Sequence, residues 1–406
     1  MVMTPERKEF LYCISDFSSA SHTGEFLAEE INKIIECIGP KKVAAIVSDN
    51  GANIAKARRI VTSKYKHIIN VRCIAHCINL ISKDVIAHKF AKNLISKANI
   101  IVKYFKKSSL ANSLLKSQIE KHRIQGGIIK SYVKTRWTSV HECLDSIIRL
   151  KRCLEEIRDE HSTSISNNSV ISILRSRAFF EDVGYLANTL LPIKLAILEV
   201  EGRSTNLADC YISLLRIAAV IRNLPSNDYK FFRNHCISVF NKRYKEFDDP
   251  IYLLAFFLHP AYKGNGVKYG QFYNIVSHAG SIWKSLGKNR ESWESLSTQL
   301  RLYKLQKDDN GVPNVYSAPY TPNQDTVMSW WNTCEANPKH LQQLALRIFS
   351  ITPSSASCER MFSTLGWLYG KKWQNLSIHK LESLAKVYRY NISEVAQTTN
   401  HLKRSK

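Results

Sequence analysis

The sequence predicts two fold classes in one chain, α/β at its start and all-α beyond. Three observations carry that reading. Over roughly the first 140 residues the apolar pattern alternates between strand and helix periods. From Ser139 it turns wholly helical, and after a Gly-, Pro-, Asn- and Asp-rich stretch at 308–324 it returns to amphipathic helix through 395.

Taken in order, EFLYCISDF (9–17) is a short strand-like run. A helix follows over 23–38, with Thr23 placed to cap it and Leu27, Ile31, Ile34, Ile35 and Ile38 on one stripe; Gly39-Pro40 stops it. VAAIV (43–47) has the length and continuous apolarity of a buried strand and ends abruptly in Ser48-Asp49-Asn50-Gly51. A second helical segment, 52–64, leads to VRCIAHCINLISKDVIAH, which reads as another helix. Strand, helix, strand and helix in that order argue a layered α/β unit. Beyond Ser139, Val140, Leu144, Ile147, Ile148, Leu154 and Ile157 follow one helical face, and HSTSISNNS (161–169) is a polar loop. The stretches 183–200, 207–222 and 251–258 are apolar at helical spacing, and 308–324 is the expected linker. The expected boundaries are therefore 1–138, 139–324 and 325–395.

Composition narrows the function classes. The chain has 406 residues, with 58 Lys and Arg against 34 Asp and Glu, a formal charge of +24. The charge is spread through segments such as KYFKKSSLANSLLKSQIEKHR (103–123) and KSYVKTRW (130–137), which favours a polyanionic partner, DNA above all, through counterion release. Ten scattered cysteines without a CxxC pair read as reduced thiols of a cytosolic or nuclear protein. No apolar run approaches the ~20 residues that cross a bilayer. The longest, YLLAFFLHPAY from Tyr252, contains His259 and Pro260, so no membrane partner is expected.

Four places carry chemistry. Asp49 stands at the C-terminal end of a predicted strand, where it is either a magnesium ligand or the side chain of an Asx turn. Glu359, in SSASCERMFSTLGWLYGKKW, is either a solvated helix carboxylate or one member of a site completed elsewhere. Cys73 and His76 have C-x-x-H spacing without a second pair nearby, which leaves zinc and core packing as the two readings, the latter preferred. Arg136 beside Trp137 suits phosphate and an unpaired base, or a domain-junction core.

Together these blocks resemble the hAT (hobo/Activator/Tam3) family of DNA transposases, including members with a transposase-like N-terminal domain of unknown function. VSDNGANIAKA (47–57), CIAHCINLI (73–81), TRWTS (135–139) and DPIYLLAFFLHPAYK (249–263) stand in the family's order. SWWNTCEANPKHLQQLALRIFSITPSSASCERMFST (329–364) and LSIHKLESLAKVYRYN (376–391) resemble its C-terminal dimerisation region. The resemblance implies a ribonuclease-H-like core interrupted by a large helical insertion, with a helical dimerisation region at the end. It also implies that Asp49 and Glu359 are catalytic carboxylates holding Mg2+ for two-metal strand cleavage. Arg136 and Trp137 would handle a flipped base, with Lys130 and Lys134 on the same DNA-facing stretch, and Cys73 and His76 would be architectural. Trp330, Trp331, Leu341, Leu344 and Phe362 would belong to the dimerisation region. Leu346, Ile348 and Phe349 add to an apolar surface that a tail of this size is not expected to bury alone.

Set against the family pattern, the core is expected to be incomplete. EFLYCISDF is preceded only by VMTPE, so the first strand, its Asp and a BED-type zinc finger are expected to be missing. Asp16 falls on the third strand, a poor substitute. The preferred reading is a truncated or degenerate hAT-like transposase, nuclear, DNA-binding and self-associating, without autonomous cleavage and without a cofactor. The alternatives are an active, Mg2+-dependent transposase whose gene model lacks the first strand and finger, and a nuclear interaction module that uses the dimerisation region alone.

Overall fold

Thr23 starts the first long helix: its hydroxyl accepts the Phe26 N–H at 3.2 Å. Helix α1 (Gly24–Ile38) then runs until Gly39, at φ 96°, turns the chain into Pro40. The computed structural model describes residues 1–133, 138–225, 228–307, 310–368, 370 and 376–404, side chains after 391 excepted. Ahead of α1, β1 (Val2–Met3) and β2 (Glu9–Phe10) form an antiparallel hairpin. Behind it, β3 (Ala45–Ser48) pairs in parallel with β4 (Ile69–Arg72), Ser48 facing Arg72, and α2 (Ala52–Lys64) makes the crossover. The predicted stripe is buried in part: Ile35, with Ala28 from outside the stripe, meets Ala57 and Val61 of α2 and Ile68, while Leu27, Ile31, Val43 and Ile46 pack partly buried against them.

Three expectations need correction here. The strand-like run 9–17 yields only Glu9–Phe10 as strand. Leu11 turns into an apolar cluster with Met361 and Ala385, the Ile14 N–H donates to the Glu382 carboxylate at 2.9 Å, and Asp16 accepts the Ser18 N–H in a turn. Those partners replace a strand ladder. Val71 and Arg72, read from sequence as the start of a helix, belong instead to strand β4, because a parallel neighbour and not local alternation makes it one. Finally, β3 is half-buried along its length; among the described residues only β4 pairs with it.

The remainder is helical: α3 (Ile74–Val85), α4 (Lys89–Lys107), α5 (Ser109–Lys121), α6 (Ser139–Arg149), α7 (Lys151–Glu160), α8 (Asn168–Arg175), α9 (Arg177–Val200), α10 (Leu207–Arg222), α11 (Lys230–Tyr244) and α12 (Pro250–Leu258). After these come α13 (Gln271–Ser285), α14 (Arg290–Leu305), α15 (Val327–Thr333), α16 (His340–Ser350), α17 (Ala356–Leu368) and α18 (Ile378–Arg404). The chain forms two units. One comprises Met1–His76, Val200–Ile212 and Asp249–Lys406, the other Cys77–Glu199 and Ser213–Asp248. The second is all helix, with Ile101, Phe105, Leu144, Ile147, Leu154 and Ile157 fully buried and a charged tie from Arg243 to Asp84 at 2.6 Å. Helix α9 is long and apolar enough to cross a membrane by length and composition; half of its most apolar window is buried inside the protein.

The C-terminal helices bury much more than the sequence suggested. Trp330, Trp331, Leu341, Leu344, Ile348 and Phe349 all lie inside the first unit. The Trp331 indole N–H donates to the Leu258 carbonyl at 3.1 Å, and its ring stacks on Tyr303. Trp330 and Trp331 therefore form core, and of the five residues assigned to dimerisation only Phe362 is exposed. The expected linker is also tied down: Tyr316 is buried against Tyr303 and Trp331, and the Lys263 ammonium donates to its carbonyl at 2.8 Å. Gly/Pro/Asn content marked the turns but said nothing of the aromatic anchors between them, Tyr316 and, against His259, Tyr320. Replacing Trp331 by Ala should cost about 3–5 kcal/mol in denaturant unfolding, the penalty of emptying a fully packed aromatic site; a cost under ~1 kcal/mol would mean that this ring lies at a subunit surface.

Candidate active site

The site is built where β3 ends. The Asp49 carboxylate accepts the Gly51 N–H at 3.1 Å, an Asx turn that opens α2, so its turn role and its position at the strand end coexist. Arg58, on the α2 stripe with Ala55 and Val61, is buried there. Its guanidinium donates to the Asn70 side-chain oxygen at 2.8 Å and also to the Ser48 hydroxyl and the Asp49 carbonyl. That fork fixes the backbone on which Asp49 stands. The sequence carried a signal for Arg58, an arginine at an apolar-stripe position, which the reading from sequence passed over.

Glu359 reaches the same end of the sheet from the other extreme of the chain. The Cys73 N–H donates to the Ser48 carbonyl at 2.8 Å, directly beside Asp49. The Cys73 sulfur then accepts the Ser355 N–H at 3.3 Å, and the Ile74 N–H donates to the Pro353 carbonyl at 3.0 Å. Helix α17 begins just after Ser355, and the Glu359 N–H bonds back to the Ser355 carbonyl at 3.2 Å. Glu359 thus sits in the first turn of α17. Cys73 is a buried structural joint, and His76, half-buried on α3, is not part of it.

Glu359 lies within electrostatic reach of Asp49. Burial on one side pushes the Glu359 carboxyl from its ordinary 4.5 up to about 7, and the negative charges of Glu201 and Asp49 push in the same direction against Arg360. Glu201, just past the end of α9, is itself held above the usual range by burial, opposed by Arg360. The sequence gave no sign of Glu201, which sits in a turn without a motif. Arg360 donates to the Glu201 carbonyl at 3.2 Å and to the Glu9 carboxylate at 2.9 Å; Glu9 also pairs with Arg389. From the hairpin, Arg7 donates to the Thr352 hydroxyl at 2.7 Å and the Phe349 carbonyl at 2.9 Å. Residues 349–360 are therefore clamped from two sides. Among the described residues no three His, Cys, Asp or Glu side chains come close enough to hold a metal ion.

Of the residues expected to face DNA, Lys130 lies in the helical unit, its ammonium 3.8 Å from the Glu142 carboxylate and half exposed. Lys134, Arg136 and Trp137 lie outside the described residues.

Comparison with known proteins gives three matches in chain order. Residues 1–101 match a domain of unknown function, DUF659; residues 71–174 match the ZBED1 RNase-like helical domain; residues 313–389 match the hAT family C-terminal dimerisation region. The three matches together support a hAT-family transposase-like protein. No curated protein matches it. In this hAT-like chain the dimerisation match takes in both the buried tryptophans and the α17 turn that bears Glu359.

The raised Glu359 pKa has a definite sign. The fold favours the protonated carboxyl, so this group's stabilising contribution is complete below about 4.5 and is lost as pH rises through about 7. Relative to the native protein, Glu359→Gln should therefore melt higher above about pH 7 and approach the native melting temperature near pH 4.5. Parallel melting curves across that window would show Glu359 apart from the other carboxylates.

Proposed function

We propose that the chain is a DNA-binding, self-associating hAT-like transposase relative, acting in the nucleus, that does not cleave DNA strands by itself. The observation that carries this reading is that Asp49 and Glu359 share one end of the sheet while, among the described residues, no three possible ligands come together. The fold assigned to the first unit is ribonuclease-H-like, and its parallel β3–β4 pair with a carboxylate at the strand end is consistent with that. Two carboxylates offer the hard oxygen donors that Mg2+ takes, and the repulsion on Glu359 marks negative charge that a cation would relieve. Two-metal cleavage, however, clamps both attacking and leaving oxygens between ions about 4 Å apart. No three described ligands converge to hold even one ion closely, so no cleavage step is assigned to these residues.

A net charge of +24 supports binding to phosphate backbones. Lys130 and the lysines along α4 and α5, with Lys134 and Arg136, are the groups assigned to it. Purified protein with Mg2+ or Mn2+ should bind duplex DNA in a salt-sensitive way and leave every strand intact. Cleavage that Asp49→Ala abolishes would overturn the silent-site reading. Binding unaffected by salt would overturn the electrostatic one.

Self-association is supported by the dimerisation match, and the face assigned to it lies on α17 and α18. Phe362 and Trp367 are each 71% exposed, and Val387 and Tyr390 of α18 are exposed as well. Large apolar side chains left exposed in this number on two helices are what an interface covers. In sedimentation, the double variant Phe362→Asp/Trp367→Asp should shift the chain toward monomer by tenfold or more in dissociation constant, roughly the effect of losing two interface aromatics. An unchanged association constant would move the interface elsewhere.

A further inference from the structure

The loop between α12 and α13, AYKGNGVKYGQFY (261–273), is not absorbed by the readings above. Two tyrosines stand out on it. Tyr269 is 106% exposed and Tyr273 77% exposed, so each ring gives up nearly all the burial a side chain of its size normally gains. The loop beneath them is nevertheless firmly built. Lys263, at φ 47°, sends its ammonium inward to the Tyr316 carbonyl at 2.8 Å and over the Trp330 ring at 5.5 Å. Gly264, at φ 71°, passes so close to Phe257 that a β-carbon there would sit 2.7 Å from its ring. The Asn265 N–H bonds to Tyr262, and the Val267 N–H to Gly264. Lys268 and Gln271 bond reciprocally, at 3.1 and 3.2 Å, across the base of Tyr269. Phe272, between the two tyrosines in sequence, faces inward against Phe257 with the Lys304 ammonium 4.3 Å over its ring. A rigid support thus presents two bare aromatic rings, four residues apart at the start of α13.

The stretch of sequence that carries them has charge of one sign. From Ile251 to Arg290 the sequence holds no aspartate or glutamate, against Lys263, Lys268, Lys284 and Lys288. Lys268 precedes Tyr269 directly, and Lys304 lies beneath the patch. Exposed aromatic rings interleaved with lysines, in a stretch of chain without acids, fit a ligand that has flat π-faces and a polyanionic backbone. That is single-stranded nucleic acid. A duplex keeps its bases stacked on one another and offers these rings only phosphate.

We infer that Tyr269 and Tyr273 form a stacking platform for unpaired bases, with Lys268 and Lys304 drawing the phosphate backbone across it. The inference rests on the DNA-binding reading and specifies the form of nucleic acid that this loop takes. Its rigidity matters, because little ordering cost remains when the bases dock.

The test compares fluorescein-labelled oligothymidylate with a duplex of equal length, by anisotropy on the full chain at one salt concentration. Tyr269→Ala/Tyr273→Ala should weaken oligothymidylate binding at least about tenfold, the lower range for two lost stacking contacts, and change duplex binding less than about twofold. Tyr269→Phe/Tyr273→Phe should keep native affinity, because stacking needs the ring and not the hydroxyl. Oligothymidylate affinity unchanged by the alanines, or equal losses on both ligands, would overturn the platform and leave DNA binding standing. Failure of the native chain to bind either ligand would sink both readings. As a second measurement on the native protein, photocrosslinking with a bromouracil-substituted strand should yield adducts at Tyr269 or Tyr273; adducts only elsewhere would also refute the platform.

Discussion

One short set of hydrogen bonds around Cys73 decides where everything else in the site can be. Its N–H closes the parallel strand pair onto Ser48, and its sulfur accepts from Ser355, a residue 282 positions away. With the Ile74–Pro353 bond beside it, this joint seats residues 353–355 at the open end of the sheet. Helix α17 can only start from there. Glu359 comes to Asp49 not through any contact of its own but because the helix that bears it is seated by a buried thiol. That gives the C-x-x-H block a physical role in which the cysteine acts and the histidine stands aside.

Adjacent residues of α17 serve opposite ends. Glu359 is partly buried and left among like charges, which together push its carboxyl up to about 7, whereas Arg360 ties Glu9 and the Glu201 backbone together. Folded proteins tolerate one repelled carboxylate where neighbouring contacts over-determine its position. The clamps from Arg7 and Arg360 on either side of the 353–355 joint supply that determination.

Much of this was readable before the fold. The Thr23 cap, the Gly39-Pro40 stop, the bounds of α2 and the helical character beyond Ser139 follow from local propensity and period, and local signals are what sequence reports best. The β4 strand and the shortness of β2 did not follow, because a partner strand makes the one and the side chains of α17 and α18 unmake the other. Asp49 and Glu359 were identified by block resemblance, and nothing in their spacing could bring them together; the Cys73 joint does. Arg58 was visible as a charge on an apolar stripe. Glu201 was not visible at all, since its role comes only from where the turn after α9 lies. The tryptophans show where apolar density alone is ambiguous: the C-terminal segment does not bury them by itself, and Leu258, Tyr303 and Tyr316 from outside it provide their partners.

The unit that holds the site is assembled from three separated stretches of chain, whereas the helical unit needs only residues 77–248. During synthesis the ribosome delivers the helical unit whole long before Ser355 emerges. For all of that interval the strand pair waits with Cys73 unmet and its open end bare. Such a nascent chain exposes an unpaired strand edge while its neighbour is already folded, the condition under which chains seek chaperones or one another. Folding of the first unit is therefore governed by residues 353–355 as much as by the strands themselves, since those are the residues that meet Cys73 and Ile74 at the open end of the sheet.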